Sequence, residues 1–165
     1  PNPDLLDIYG VGDVRGAANM IGTAQGYPTM LGKFPSMNGA DNVTLFRVEE
    51  MHLIAAETSL RAGNASDALS YLNNIPAIRG LGADYYASAT LENILEERRK
   101  EFAFEGLRFH DLSRMGMDMP QIDSFKQLND DLTGTPPTYG SHRYAYPIAL
   151  AERNANPNMV QNYGY

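Results

Sequence analysis

Two helical segments separated only by an Ala-Gly-Asn turn constrain the fold of this chain more than any other feature. Apolar residues at helical spacing predict a first helix over residues 45–62. A second stripe predicts a helix after Asn64 that ends or kinks near Asn74, because Pro76 follows. Gly63 stands where a left-handed C-terminal cap is needed, and Asn64 can cap the next helix. So short a turn requires the two helices to pack antiparallel as a hairpin.

The front of the chain differs in composition from the rest. Seven of the fifteen glycines lie in residues 1–43, and glycine at this spacing interrupts any long helix. We therefore predict a loop-rich front segment over residues 1–43, with one or two short strands, such as residues 29–34. A helical domain over residues 44–165 is predicted to follow it.

Helical spacing continues beyond the hairpin. It predicts a third helix from Thr90, a suitable cap, to about Phe104, and a short helix after Gly106. Residues 120–143 have the composition of a polar loop, and residues 144–165 contain too many Asn, Pro and Gly residues for regular structure. The predicted fold class is therefore mainly α, with a helical hairpin, a further helix and long loops.

Composition and charge exclude several functions. Hydrophobic residues make up 43% of the 165 residues, which is enough to bury a core. The net charge of -7 disfavours binding to a phosphate backbone, so no nucleic-acid partner is expected. The sequence contains no run of about 18 apolar residues that could span a membrane. No signal peptide is expected. The absence of cysteine excludes thiolate catalysis and cysteine-ligated zinc.

The densest group of charges lies between residues 96 and 111. Glu96 or Glu101 could act in an acid/base couple of a hydrolase, but no nucleophile or oxyanion-stabilising group accompanies them. We interpret this region instead as a structural motif in which its arginines pair with its carboxylates. The residues of this motif are Arg98, Arg99, Glu101, Glu105, Arg108 and Asp111.

Histidines and aspartates elsewhere give no recognisable metal or catalytic site. The histidines form no close ligand pair. The aspartates of the front segment can offer oxygen ligands to calcium, but no EF-hand order supports such a site. The residues concerned are His52, His110 and His142, and Asp4, Asp7, Asp13 and Asp41. We predict no catalytic residue, no metal and no cofactor.

Tyrosines in loops are the remaining candidates for ligand contact. Carbohydrate sites stack flat aromatic rings on sugar rings, and this chain has no tryptophan. The candidate ligand-binding residues are Tyr9, Tyr27, Tyr85 and Tyr86. The alternative is that each is an ordinary surface tyrosine that touches no ligand.

Three stretches resemble the carboxy-terminal half of the SusD/RagB family of nutrient-binding proteins. They are residues 44–75 (TLFRVEEMHLIAAETSLRAGNASDALSYLNNI), 91–116 (LENILEERRKEFAFEGLRFHDLSRMG) and 146–165 (YPIALAERNANPNMVQNYGY). Part of the first stretch also resembles one tetratricopeptide unit, and no second copy follows at a period near 34 residues. Together the three stretches span most of residues 44–165.

The resemblance implies a tetratricopeptide-like helical protein that is lipid-anchored and surface-exposed on the outer membrane of Bacteroidota-type bacteria. It implies capture of an oligosaccharide, or of a peptide in some branches, together with a TonB-dependent SusC-like transporter. It also implies that the anchor cysteine and most of the repeats belong to a missing amino-terminal part of the same protein. The alternative is a freestanding tetratricopeptide-like scaffold that binds a peptide or protein in an apolar groove beside Leu60 and Leu72.

Overall fold

The computed structural model describes residues 3–24, 26–36, 38–120 and 137–165. Their regular structure consists of five α-helices, three short 3-10 helices and one two-stranded sheet. The helices are α1 (Val48–Arg61), α2 (Ala65–Ile78), α3 (Leu91–Glu101), α4 (Arg108–Arg114) and α5 (Leu150–Ala155). The antiparallel strands are β1 (Ile21–Ala24) and β2 (Tyr27–Met30), with Ile21 opposite Met30. The prediction of a mainly helical fold is confirmed.

The chain divides into two compact units, Pro1–Arg108 and Phe109–Tyr165. The boundary predicted after residue 43 falls inside the first unit. The front segment does not stand apart there, because Leu5 and Ile21 share a buried cluster with Ala103, which follows α3. A larger buried cluster joins α1, α2 and α3. Its members are Leu53, Ala56, Leu72, Ile75, Tyr86, Ile94 and Phe102.

The turn between α1 and α2 has the left-handed cap that the sequence predicts. Gly63 has a φ of 83°, which favours glycine because a side chain would be strained there. The Gly63 amide donates to the Leu60 carbonyl at 3.0 Å and the Asn64 amide to the Ser59 carbonyl at 2.8 Å. These two bonds form a Schellman motif, which ends α1 and turns the chain into α2. Asn64 occupies the N-cap position, but its side chain makes no capping bond.

Helix α2 passes through Pro76, which corrects the prediction of an end or kink near Asn74. A proline removes one amide donor, and here the loss falls close to the end of the helix at Ile78. Pro76 and Ile75 are fully buried, so apolar packing offsets that loss. The amides of Arg79 and Leu81 both donate to the Pro76 carbonyl at 3.0 Å and close the helix.

Two other helix ends differ from the prediction for local reasons. Helix α1 begins at Val48 rather than at residue 45, because the preceding Arg47 has an extended backbone with a φ of -131°. Helix α3 ends at Glu101, because Phe104 has a left-handed φ of 68° that no α-helix can include. The predicted cap at Thr90 is confirmed, since its hydroxyl accepts from the Asn93 amide at 3.1 Å.

The regular structure of the front and of the tail differs in extent from the prediction. The strand expected over residues 29–34 lies at Tyr27–Met30, and a second short strand, which the prediction allowed, is β1. In the tail, Leu150–Ala155 forms helix α5 although no regular structure was expected there. Most of the predicted polar loop, residues 121–136, lies outside the described residues.

Gly80 brings the front segment close to the end of α2, and a side chain at this position is expected to be destabilising. Its φ is 93°, and a Cβ atom there would lie 2.7 Å from the Gly12 carbonyl oxygen. We expect Gly80→Ala to lower the free energy of unfolding by about 2–3 kcal/mol, since left-handed strain and backbone overlap add together. Urea denaturation followed by far-ultraviolet circular dichroism measures this loss.

Gly82 provides a matched control in the same loop. It has a similar φ of 88°, but a Cβ atom there would meet nothing within 4 Å. Gly82→Ala is therefore expected to cost only the left-handed strain, about 1–2 kcal/mol. Equal losses for the two variants would show that the close approach to Gly12 is not important.

Candidate functional site

Two neighbouring carboxylates on α3 form the centre of a buried group of charges in the first unit. Glu97 and Glu101 are four residues apart, so the helix places them on one face. Arg15 Nη1 lies between them and donates to Glu97 Oε1 at 2.7 Å and to Glu101 Oε2 at 3.0 Å. Asp13 orients that guanidinium through Nε at 2.9 Å and Nη2 at 2.8 Å. All four side chains are buried, so the front segment is joined to α3 by paired charges.

Glu101 accepts hydrogen bonds from two further arginines. Arg47, just before α1, donates through Nη1 at 2.9 Å, and Arg79, just after α2, donates through Nε at 3.0 Å and Nη2 at 2.7 Å. The Arg79 side chain also donates to Glu49 of α1 at 2.7 Å. The side chain of Glu101 is only 1% exposed. One carboxylate therefore connects the front segment, both helices of the hairpin and α3.

These contacts correct the partners that the sequence analysis expected for Glu101. Glu101 pairs with Arg15, Arg47 and Arg79 instead of the arginines near it in the sequence. The partners of Glu105 also differ from those expected. Glu105 pairs with Lys33 and Arg47, Asp111 pairs with Arg114, and the Arg98 guanidinium lies 5.2 Å from the centre of the Phe102 ring.

The chemistry of this group is that of fixed ion pairs. Burial by itself would raise the pKa of Glu101, but hydrogen bonds from Arg79 and the charges of Arg79, Arg15 and Arg47 lower it below its ordinary value. Burial likewise opposes the charge of Arg15, and its bonds to Asp13 and Glu97 outweigh burial and raise the pKa of the guanidinium. A carboxylate held ionised in this way cannot donate a proton as a general acid.

The structure brings three of the four candidate tyrosines together around Lys100 of α3. Tyr9 donates its hydroxyl to the Lys100 carbonyl at 3.0 Å, and burial is the main reason that the pKa of Tyr9 rises to about 12. The Lys100 ammonium lies 5.2 Å from the Tyr85 ring centre and 5.7 Å from that of Tyr86, and it pairs with Glu96. Tyr27 lies separately in β2.

Tyr86 is not the exposed loop residue that the sequence analysis expected. It is 8% exposed, and its hydroxyl donates to Glu97 Oε2 at 2.9 Å. Burial and the charge of Glu97 raise the pKa of Tyr86, so the phenol stays protonated. Tyr85 is 38% exposed, and its ring centre lies 4.8 Å from that of Tyr86 in an edge-to-face arrangement. Of the four candidates, Tyr85 is the most exposed residue.

A cavity of about 510 Å³ opens in the first unit between the front segment, α1 and the end of α3. Its apolar wall is formed by Phe34, Val43, Leu45, Phe104 and Leu107. Its charged wall contains Lys33, Arg47, Glu50 and Glu105, so the formal charges balance.

Metal-binding geometry is absent from the ranges that the structure describes. No three His, Asp or Glu side chains converge there on a possible ion position. Among the aspartates considered for calcium, Asp13 is bonded to Arg15, and Asp41 accepts from the Ser36 amide at 2.8 Å. His52 lies 3.3 Å from the Asn74 amide nitrogen, and His142 packs on Tyr165.

Comparisons of this chain with known proteins point to one family. A model of the SusD family matches residues 20–165. The chain belongs to the SusD family. One relative is the starch-binding protein SusD of Bacteroides thetaiotaomicron, which is 32% identical over 124 residues that cover 75% of this chain.

Solved structures have the same fold. A SusD superfamily protein from Bacteroides thetaiotaomicron is 34% identical with a TM-score of 0.64, and the match covers 79% of this chain and 30% of that one. Surface glycan-binding protein A from Bacteroides uniformis shares the fold at 24% identity with a TM-score of 0.68, over 96% of this chain and 39% of that one. The chain spans only 22% of the length of the starch-binding SusD relative.

The arginines that complete the charged group of this SusD-family chain were missed by the sequence analysis. Arg15, Arg47 and Arg79 lie 86, 54 and 22 residues from Glu101. Arg15 lies in a three-residue 3-10 helix, and Arg47 and Arg79 lie next to helix ends. One signal was available, since two glutamates four residues apart on an apolar helix face need cationic partners when they are buried. That signal predicts that partners exist without showing which residues they are.

Proposed function

We propose that the polypeptide containing this SusD-family chain is a glycan receptor with no catalytic activity of its own. The observation that carries the proposal is the family match over residues 20–165, together with the similarity to a starch-binding relative. Electrophoresis of the polypeptide through native gels containing soluble polysaccharides, starch among them, provides the test. Retardation by at least one glycan is expected, and unchanged mobility with every polysaccharide would contradict the proposal.

The arrangement of the carboxylates supports the absence of catalysis. A hydrolase would need two carboxylates about 5–10 Å apart that a substrate can reach. Glu97 and Glu101 share Arg15, but both are buried and held by arginines. Lowering of the pKa of Glu101 favours the ionised form and so opposes its use as a proton donor.

The proposed partner is a SusC-like TonB-dependent transporter, to which the receptor would pass its ligand. We place the complete polypeptide on the outer surface of the outer membrane, held by an amino-terminal lipid. Within the described part of the chain, no helix is long and apolar enough to cross a bilayer. Copurification with the transporter after mild solubilisation of outer membranes is expected, and recovery only in the soluble fraction would contradict this placement.

The alternative of a peptide-binding scaffold loses the groove on which it depended. Leu72 is completely buried in the cluster between the helices, and Leu60 packs against the same cluster. These two residues therefore form part of the core of the hairpin and do not line an open apolar groove. Glycan capture remains the function that we propose.

Tyr85 is the residue through which we expect the first unit to contact a sugar. Replacing Tyr85 with alanine should weaken glycan binding by roughly two- to tenfold, because an aromatic stacking contact contributes about 0.5–1.5 kcal/mol. Isothermal titration calorimetry measures this change in affinity, with a polysaccharide that slows the native chain in the gel or with an oligosaccharide derived from it.

Two control variants separate stacking from loss of folded protein. Tyr85→Phe keeps the ring and should bind nearly as well as the native chain. Tyr163→Ala removes a highly exposed tyrosine from the tail and should leave the affinity unchanged. Affinity that is the same for Tyr85→Ala and the native chain would remove Tyr85 from the ligand site.

A further inference from the structure

Asn38 and Gly39 form the one Asn-Gly pair in the sequence, and both residues are exposed. The Gly39 backbone has a φ of 68°, and a Cβ atom there would meet nothing within 4 Å, so no side chain shields its amide nitrogen. Asparagine is a thermolabile residue, because the next amide nitrogen in the chain can attack its side-chain carbonyl and close a five-membered ring. Of all the asparagines in the sequence, Asn38 therefore has the least hindered neighbouring amide.

The Ser36 hydroxyl activates the carbonyl that would be attacked. Ser36 Oγ donates to Asn38 Oδ1 at 2.8 Å, an ordinary length for a hydroxyl bond. Negative charge develops on that oxygen when a nucleophile adds to the carbonyl carbon, so a donor fixed there stabilises the transition state in the manner of an oxyanion hole. The donor is fixed, because Ser36 Oγ also accepts from the Ala40 amide at 3.3 Å and the Ser36 amide donates to Asp41 Oδ2 at 2.8 Å.

One hydrogen bond of the same turn opposes the reaction, and it is long. The Gly39 amide donates to the Ser36 carbonyl at 3.3 Å, which is beyond the usual range of about 2.7–3.2 Å for an N–H group and an oxygen. The Gly39 nitrogen must lose its proton in order to attack, and a strong bond would hold that proton. A bond of this length holds it weakly, so the nitrogen remains available.

We propose that Asn38 is a site of spontaneous deamidation and that the Ser36 hydroxyl promotes the reaction. The Gly39 nitrogen forms a bond to Asn38 Cγ, the bond from Cγ to Nδ2 breaks, and ammonia leaves with the proton of the Gly39 amide. Water then opens the ring. Opening at Cγ gives aspartate, and opening at the backbone carbonyl carbon gives isoaspartate, which lengthens the backbone by one atom. No atom is oxidised or reduced.

The product changes the segment between two parts of the cavity wall. Phe34 and Asn42 line the cavity, and Asn38 lies midway between them in the chain. Ser36 is bonded to both Asn38 and Asp41, so conversion brings a second carboxylate to this serine, and the two like charges repel each other. Deamidation would therefore be a slow, irreversible change of this turn that does not depend on glycan binding.

Peptide mapping of the complete polypeptide tests the proposal with an internal control. Trypsin releases residues 34–47 (FPSMNGADNVTLFR), which contain both Asn38 and Asn42. Asn42 is also exposed, but its neighbour Val43 has a branched side chain that hinders attack by the amide. After incubation at neutral pH and physiological temperature, fragment masses show which asparagine has gained one mass unit. We expect Asn38 to be converted at least about tenfold faster than Asn42.

Two variants test the part that the hydroxyl plays. In the folded polypeptide, Ser36→Ala should slow the conversion of Asn38 by about two- to tenfold, which is the effect of one hydrogen bond on a rate. Ser36→Thr restores a hydroxyl and should restore the native rate. In concentrated urea the native chain and both variants should react equally fast, because the turn that fixes the hydroxyl is lost. An isoaspartate-specific methyltransferase should label the aged native polypeptide.

Three outcomes would overturn the proposal. If Asn38 stayed unmodified in the folded polypeptide while the free 34–47 peptide was converted, the turn would protect this residue. Equal rates in folded native and Ser36→Ala polypeptides would show that the Asn-Gly pair reacts without help from the hydroxyl. Slowing that Ser36→Thr does not reverse would assign the effect to the shape of the turn. None of these measurements involves a glycan, so their failure is distinct from a failure of the proposed receptor function.

Discussion

Replacing Glu101 with glutamine is expected to lower the free energy of unfolding by about 4 kcal/mol, because it leaves one buried and two half-buried arginines without the anion that they share. The glutamine keeps the shape of the side chain, so the loss reports charge. Three guanidinium groups, those of Arg15, Arg47 and Arg79, donate to this carboxylate in the native chain. Urea denaturation followed by circular dichroism of the helices measures the change.

Two other glutamates of the same region, one exposed and one half-buried, serve as controls with smaller expected losses of stability. Glu92 is exposed in the first turn of α3, so Glu92→Gln should change stability by less than about 0.5 kcal/mol. Glu105 is shared by Lys33 and Arg47 at a more accessible position, so Glu105→Gln should lie between the two. A loss for Glu101→Gln no larger than that for Glu92→Gln would show that the charged group is not what joins the front segment to the helices.

The dependence of stability on pH provides a second test of the Glu101→Gln variant. The pKa of Glu101 is lower in the folded chain than its ordinary value of 4.5, so the folded state holds the proton less tightly than the unfolded state. Its contribution to stability is therefore present above pH 4.5 and is lost as the pH falls through the folded pKa. Denaturation at several pH values from about 6 to about 3 should show a shallower fall for Glu101→Gln than for the native chain.

Local signals predicted the helical framework, because each one acts within a few residues. The cap at Gly63 and the cap at Thr90 depend on neighbouring backbone groups, and the structure contains both. The continuation of α2 through Pro76 was missed because the cost of one lost hydrogen bond is offset by burial, which depends on distant residues. The early end of α3 depends on the left-handed Phe104, and a non-glycine sequence gives no sign of that conformation.

The candidate site was predictable in type but not in its pairings. The sequence indicated structural ion pairs around Glu101, and the structure contains ion pairs there with partners from other segments. Tyr86 was expected at the surface because loop tyrosines usually lie there. Its burial follows from contacts with Asn73 and Glu97, which a pattern of spacing cannot reveal.

Replacing Asn73 with alanine is expected to lower the free energy of unfolding by about 4 kcal/mol, because two buried backbone groups lose the side chain to which they are hydrogen-bonded. Asn73 Nδ2 donates to the Tyr86 carbonyl at 2.9 Å, and the Tyr86 amide donates to Asn73 Oδ1 at 2.9 Å. This one side chain therefore holds the loop between α2 and α3 against the hairpin and positions the Tyr86 hydroxyl on Glu97. Urea denaturation measures the loss, and hydrogen exchange of the Tyr86 amide should become faster.

The next residue of the same helix supplies the control for this prediction. Asn74 is exposed, and its side-chain nitrogen lies 3.3 Å from the His52 ring nitrogen at the surface, so Asn74→Ala should cost less than about 0.5 kcal/mol. Asn73→Asp keeps the acceptor for the Tyr86 amide but removes the donor and adds a buried charge, so it should be no more stable than Asn73→Ala. If Asn73→Ala and Asn74→Ala were equally stable, the loop would be held by the packing of Tyr86 alone. A large difference between these neighbours would instead show that a single polar side chain determines the path of the loop that carries Tyr85.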